Sequence, residues 1–195
     1  MAYEADYLER VHEMNRDALK GLWTTVCSGS TPDWAPGKAF EYLILRAFEL
    51  EGGEVRYPFS VPYPPGIGDG RNKGDLEQID GAVHAGGLSA IVEAKDSSRA
   101  INVEPIAKLR NQLLCRPAGT VGLLFSRSGF TDPARILAHF VGPQTILLWE
   151  GGEVKFALER AMMVRGLMVK YRTAVEEGLP DYNITRNANR EEGDT

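Results

Sequence analysis

Residues 76–97 read Leu76-Glu77-Gln78-Ile79-Asp80-Gly81-Ala82-Val83-His84-Ala85-Gly86-Gly87-Leu88-Ser89-Ala90-Ile91-Val92-Glu93-Ala94-Lys95-Asp96-Ser97. Two strand-like runs, 76–85 and 88–97, flank a Gly-Gly pair, the composition of a two-residue hairpin turn. A closed turn pairs Ala85 with Leu88 and, counting back, Asp80 with Glu93. That rung falls at a non-hydrogen-bonded site, where Cα atoms approach to about 4.5 Å. Side-chain alternation puts Lys95 on the face of Glu93, opposite Gln78. Like charges directly opposite are destabilising, so the pair requires a cation between the acids or a proton on one of them.

Outward from this hairpin, apolar spacing predicts a helix over 4–26, a linker over 28–33 and a helix over 36–50 stopped by Gly52-Gly53. A strand over 54–61 and an irregular Pro- and Gly-rich loop over 62–74 lead into the hairpin. Beyond it come a helix over 103–116, a buried strand over 120–125 and a helix over 132–140 opened by an Asp132 cap and Pro133. A second buried strand over 145–149 and a long helix over 154–177 complete the pattern. The expected fold is α/β, a three-layer sandwich around a mixed sheet whose antiparallel meander continues into parallel strands. Four segments follow: an N-terminal helical extension 1–30, a core 31–150, a long C-terminal helix 151–180 packed on the core or a partner, and a flexible polar tail 181–195.

The chain has 195 residues, 43% hydrophobic and 25% charged, which suits one sizeable core and excludes collagen-like and wholly disordered classes. No apolar run reaches a membrane span and the start lacks a signal peptide's regions, so a cytoplasmic location is expected. Cys27 and Cys115 show no metal or disulfide spacing and are expected to be packing residues. Net charge is −5, which argues against a polyanion partner. Between Lys95 and Arg135, however, seven cations face three anions, so the charge is segregated along the chain.

Two acids, a lysine and an amide suit a hard divalent cation, because Mg²⁺ takes one or two carboxylates plus waters and phosphate oxygens. A lysine beside such an ion can orient or help deprotonate water for in-line attack on phosphorus. The competing reading is a structural salt-bridge triad. His12 and His139 have no partner spacing, His84 lies four residues toward the hairpin tip, and Ser126 and Ser128 lack a Ser/His/acid arrangement. Gly66–Gly70 lacks the Lys-Ser/Thr end of a phosphate loop.

Asp80, then twelve residues, then Glu93-Ala94-Lys95, preceded by the Gly37-Lys38-Ala39-Phe40-Glu41 helix start, resembles the PD-(D/E)xK nucleases. The likeness is greatest to the Mrr-like restriction endonuclease catalytic domain. It covers about residues 36–140, including Gln112 on the following helix and the run Val121–Phe125 leading through Ser126 to Gly129-Phe130-Thr131. Ile79 stands where many of these nucleases have Pro. The resemblance implies a restriction-like Mg²⁺-dependent DNA endonuclease, with Mn²⁺ as a possible substitute. Asp80, Glu93 and the Ala94 carbonyl would hold the metal, Glu41 would complete the acidic site directly or through water, and Lys95 would position or activate water. Gln112 would be a polar catalytic neighbour. Glu41 borders the apolar stripe of its helix, so the spacing alone allows it to face sheet or solvent. Arg71, Lys73, Arg99, Lys108 and Arg110 are candidate DNA contacts, double-stranded DNA is the expected partner, and a homodimer or a separate recognition subunit is expected for duplex scission. A repair, junction or RNA-cleaving enzyme of this superfamily, or an inactive DNA-binding or scaffold subunit, is the alternative.

Overall fold

The turn at Gly86-Gly87 forms as expected, both glycines taking positive φ, 60° and 80°, a conformation that costs side-chain-bearing residues. In the computed structural model, which describes residues 2–62, 75–142 and 144–187, the chain runs α1 (Ala2–His12), α2 (Arg16–Ser28), α3 (Lys38–Glu49), β1 (Glu54–Arg56), β2 (Phe59–Pro62), β3 (Asp75–Ile79), β4 (Gly81–Ala85) and β5 (Leu88–Lys95). It continues through α4 (Glu104–Leu114), β6 (Val121–Ser126), α5 (Asp132–Phe140), β7 (Ile146–Glu150), α6 (Gly151–Arg160), α7 (Met163–Glu177) and a 3-10 turn, Ile184–Asn187.

The main sheet has the order β1-β4-β5-β6-β7. Its first three strands are antiparallel, β2 and β3 pairing as a separate two-stranded sheet between β1 and β4 in the chain, and β5, β6 and β7 run parallel. β6 is buried at every position, as a strand covered by helices on both faces must be. On one face α3, α6 and α7 close a core containing Phe40, Leu43, Phe48, Val92, Phe125 and Trp149. On the other, Ile106 and Leu109 of α4 and Ala134 of α5 pack on Ile91, Leu124 and Leu148. The expected three-layer α/β sandwich with a mixed sheet is the observed architecture.

The departures from the sequence reading arise partly from distant side chains, Arg46 and Glu51, and partly from local residues, Asn15, Pro58 and Thr131. The helix expected over 4–26 is two helices: Asn15 Oδ1 accepts the N–H groups of Asp17 and Ala18 at 3.1 and 3.0 Å, while Arg46 donates to the carbonyls of His12 and Met14 at 2.8 and 3.2 Å. The long terminal helix is likewise divided. Ala161 adopts a left-handed φ of 52°, and the Glu51 carboxylate caps the new helix by accepting from Met163 and Val164 N–H at 2.9 and 3.0 Å. The strand expected over 54–61 breaks before Phe59, at Pro58, which has no N–H for the ladder. Thr131, rather than Asp132, caps α5. Both cysteines are exposed, not packed.

Of the tail expected to be loose from residue 181, Tyr182 and Ile184 are hydrogen-bonded to the body of the protein, and residues 188–195 lie outside the described residues. Lys170, fully buried, donates to Glu153 Oε1 and the Leu148 carbonyl at 2.6 Å each, and to the Tyr182 carbonyl. Leu148 N–H donates to the Pro180 carbonyl at 3.0 Å, and Ile184, buried, donates its N–H to Glu153 Oε1. The free edge of β7 is thereby covered. Among the described residues no helix is long and apolar enough to cross a membrane.

Gly81 is the contact on which α3 approaches the site. A Cβ there would lie 2.5 and 2.8 Å from the Leu45 methyls and 3.1 Å from the Arg56 carbonyl. Gly81→Ala is expected to destabilise the protein by about 1–3 kcal/mol in denaturant unfolding, as overpacking does.

Candidate active site

The acids meet, though not as a rung of the hairpin. The β4–β5 ladder ends at Gly81 opposite Val92, and the expected single strand 76–85 bends at Asp80, where β3 leaves to pair with β2. The bend frees the Asp80 side chain to turn onto β5: its Oδ2 accepts the Ala94 N–H at 2.9 Å. Gln78, expected opposite Lys95, pairs with Ser60 instead. Glu93 points to the α4 side of the sheet, with Ile91, and is wholly buried. Lys95 Nζ contacts Glu93 Oε1, and Lys108 reaches over from α4 to both Glu93 oxygens at 2.9 and 2.8 Å.

The electrostatics follow from this burial. Desolvation, then the charge of Glu93, pushes the Asp80 pKa up, against the Ala94 N–H and the two lysines. Burial by itself would lower the Lys95 pKa, but its hydrogen bond to Glu93 and the charges of Glu93, Asp80 and Glu41 reverse that, so the ammonium form is favoured. Glu41, on the first turn of α3, is 9% exposed and receives a 2.6 Å hydrogen bond from Lys38. Desolvation and the nearby Asp80 outweigh this partner and raise its pKa to about 7.

The donors offered here are carboxylate oxygens, the chemistry that Mg²⁺ and Mn²⁺ prefer. Among the described residues no three Asp, Glu, His or Cys side chains gather closely enough to hold a metal ion by themselves. Asp80 and Glu93 lie near enough for the charge of Glu93 to raise the Asp80 pKa, Glu41 is hydrogen-bonded by Lys38, and one or two carboxylates are what an ion that keeps waters takes. The charge of Glu93, which helps to raise the Asp80 pKa, is what a cation between the acids would offset.

Gln112 is buried on α4, but its Nε2 donates to the Gln78 carbonyl at 3.3 Å, tethering the helix to β3. Lys108, expected on DNA, lies on Glu93. Lys38 was missed, although it stands three residues before Glu41 on the same helix, a spacing that makes ion pairs. The basic segment loses its excess on folding: Lys95, Lys108, Arg116, Arg127 and Arg135 pair with Glu93, Glu77, Asp96, Glu150 or Asp181. Arg99 and Arg110 are exposed, and Arg71 and Lys73 lie outside the described residues. His84 contacts Ser89 Oγ at 2.9 Å, and Ser126 donates to the Gly129 carbonyl at 2.7 Å. Neither enters the acidic site.

A Glu whose folded pKa lies above its unfolded value penalises the native state once it ionises. Stability is expected to fall as pH rises from about 4.5 to about 7, by up to roughly 3 kcal/mol in metal-free solution. Glu41→Gln flattens that dependence in urea titrations at pH 5 and pH 8.

Comparison with known proteins bears on this arrangement. No curated protein sequence matches. Two solved structures are similar at low identity. One is the crystal structure of a protein of unknown function, AF1548, with 18% identity, a TM-score of 0.47 and coverage of 62% of this chain and 65% of that one. The other is the MspJI restriction endonuclease in complex with a 27-mer oligonucleotide, with 16% identity, a TM-score of 0.43 and coverage of 77% of this chain and 32% of that one. The chain thus spans just under two thirds of the first and about a third of the second. The restriction endonuclease family Mrr_cat matches residues 33–157. That span carries α3, the bent hairpin, both carboxylates and both lysines on Glu93, and the chain belongs to the Mrr_cat restriction endonuclease family.

Proposed function

We propose that this protein is a divalent-metal-dependent endonuclease that hydrolyses phosphodiester bonds in DNA. The observation that carries the reading is the meeting of Asp80 and Glu93 at the bent end of the β4–β5 hairpin, with the Lys95 ammonium on Glu93. Two buried carboxylates of like charge are unstable neighbours unless a cation serves them, and the family supplies the reaction class.

Asp80 and Glu93 would hold Mg²⁺ or Mn²⁺, with the Ala94 carbonyl beside them, and the ion would supply charge neutralisation for the phosphate oxygens. The protein's own residues do the positioning. Ala94 N–H fixes the Asp80 carboxylate, and burial fixes Glu93. Lys95, held as the ammonium, donates hydrogen bonds and cannot accept a proton, so its part is to orient the attacking water and to offset negative charge on the phosphate. As the water oxygen bonds to phosphorus, the P–O bond to the leaving oxygen breaks; the water gives up a proton to solvent and the leaving oxygen takes one from solvent, giving a phosphomonoester and a free hydroxyl. Arg99 and Arg110 contribute to the backbone contact, and two chains on one duplex would cut both strands.

A second reading has its own observation: two ammonium groups already neutralise Glu93, as in a nuclease fold that binds DNA or a partner without cleaving it. Purified protein is to be incubated with plasmid, linear duplex, single-stranded DNA and RNA in Mg²⁺, Mn²⁺ or EDTA. Duplex DNA is expected to be cut with either metal and not in EDTA. Asp80→Asn or Lys95→Ala is expected to lower the rate by roughly 10²–10³-fold or more, with circular dichroism unchanged. Undiminished cleavage by pure Asp80→Asn protein, or DNA binding by wild type without cleavage under any metal, overturns the proposal.

A further inference from the structure

We propose that Lys108 is an exchangeable counter-ion: it occupies Glu93 while the site is without metal and is displaced onto the substrate's phosphate backbone when a divalent cation binds. This rests on the metal-dependent reading above and assigns to α4 a part in it. The geometry separates the two lysines on Glu93. Lys95 comes from the same strand as Glu93, two residues on, and so stands beside the carboxylate whatever happens around it. Lys108 comes from a different element and spans the gap between helix and sheet. It contacts both Glu93 oxygens, at 2.9 and 2.8 Å, the same lone pairs a metal needs. Its side chain is 46% exposed while that of Glu93 is 0% exposed. Lys108 can therefore swing out into solvent without opening a cavity, whereas the carboxylate cannot follow it.

Charge favours the exchange. Glu93 is met by two ammonium groups, Lys95 and Lys108, while Lys38 lies on Glu41. A divalent ion on Glu93 would sit beside those two ammonium groups, and the ammonium with the freer path is the one repelled. An incoming phosphodiester, with its one negative charge, offsets part of the added charge and offers the displaced ammonium a new partner. Arg99 and Arg110 are exposed at the start of the same segment and on the same helix.

Isothermal titration of Mn²⁺ and Mg²⁺ into the metal-free full chain tests this directly. Lys108→Met removes the competitor and keeps the bulk of the side chain, so metal affinity is expected to rise about tenfold or more, the scale of a hydrogen bond to a charged group. Lys108→Arg, whose guanidinium forks onto a carboxylate, is expected to bind metal more weakly than wild type, and it serves if Lys108→Met does not fold. In a Lys95→Ala background that prevents cleavage, the salt dependence of duplex binding should fall by about one unit for Lys108→Met when metal is present, and stay unchanged in EDTA. Equal or weaker metal affinity in Lys108→Met, or tighter metal binding by Lys108→Arg, overturns the exchange. Where wild type binds metal through Asp80 and Lys108→Met leaves that affinity unchanged, only the exchange fails. Where wild type binds no metal at all, the nuclease reading fails with it.

Discussion

Two carboxylates buried beside each other at the end of a strand pair are the costly feature around which this molecule is organised. Asp80 and Glu93 are 8% and 0% exposed, where water can screen neither. The protein supplies partners in place of water: Ala94 N–H for Asp80, and the Lys95 and Lys108 ammonium groups for Glu93. Replacing such a cluster with apolar residues would often stabilise a protein. Its cost to the native state is therefore a reason to look for chemistry there, by the same logic that makes perturbed ionisable groups mark functional sites.

The fold brings cations to this point from three directions. α3 carries Lys38 with Glu41, β5 carries Lys95 with Glu93, and α4 carries Lys108. The close packing of α3 on β4 at Gly81, and the tether from Gln112 to the Gln78 carbonyl, set the distance of each helix from the bend. The buried Lys170–Glu153 pair does different work, binding the C-terminal segment along the outer strand β7. It is structural: Lys170 is fully buried and donates to Glu153 and to the carbonyls of Leu148 and Tyr182.

Much of this was legible in the sequence, for reasons particular to each element. The glycine pair needs positive φ and so announced the hairpin; the unbroken apolar runs at Val121 and Ile146 announced strands covered on both faces. Asp80, Glu93 and Lys95 could be set together from strand periodicity and a turn. The bend at Asp80 was not legible, because the period of two continues through it and only the pairing of β3 with β2 breaks it. The break at Ala161 depends on Glu51, more than a hundred residues away along the chain, and Arg46 adds a distant contact to the break that Asn15 itself caps. The role of Lys108 depended on how α4 is rotated about its axis, which its apolar stripe fixes only to within a turn. Most telling is the basic segment from Lys95 to Arg135: its charge excess is real along the chain and largely cancelled in space, because most of the acids that pair with it lie outside it.

The central claim is that Asp80 and Glu93 together bind one divalent cation. The most direct measurement is crystallographic, on crystals soaked in Mn²⁺ with data collected above the manganese absorption edge. A single anomalous peak about 2.1–2.2 Å from oxygens of both Asp80 and Glu93 is the predicted result. A peak bound elsewhere, or no peak with Glu93 still held by Lys95 and Lys108, would contradict the account.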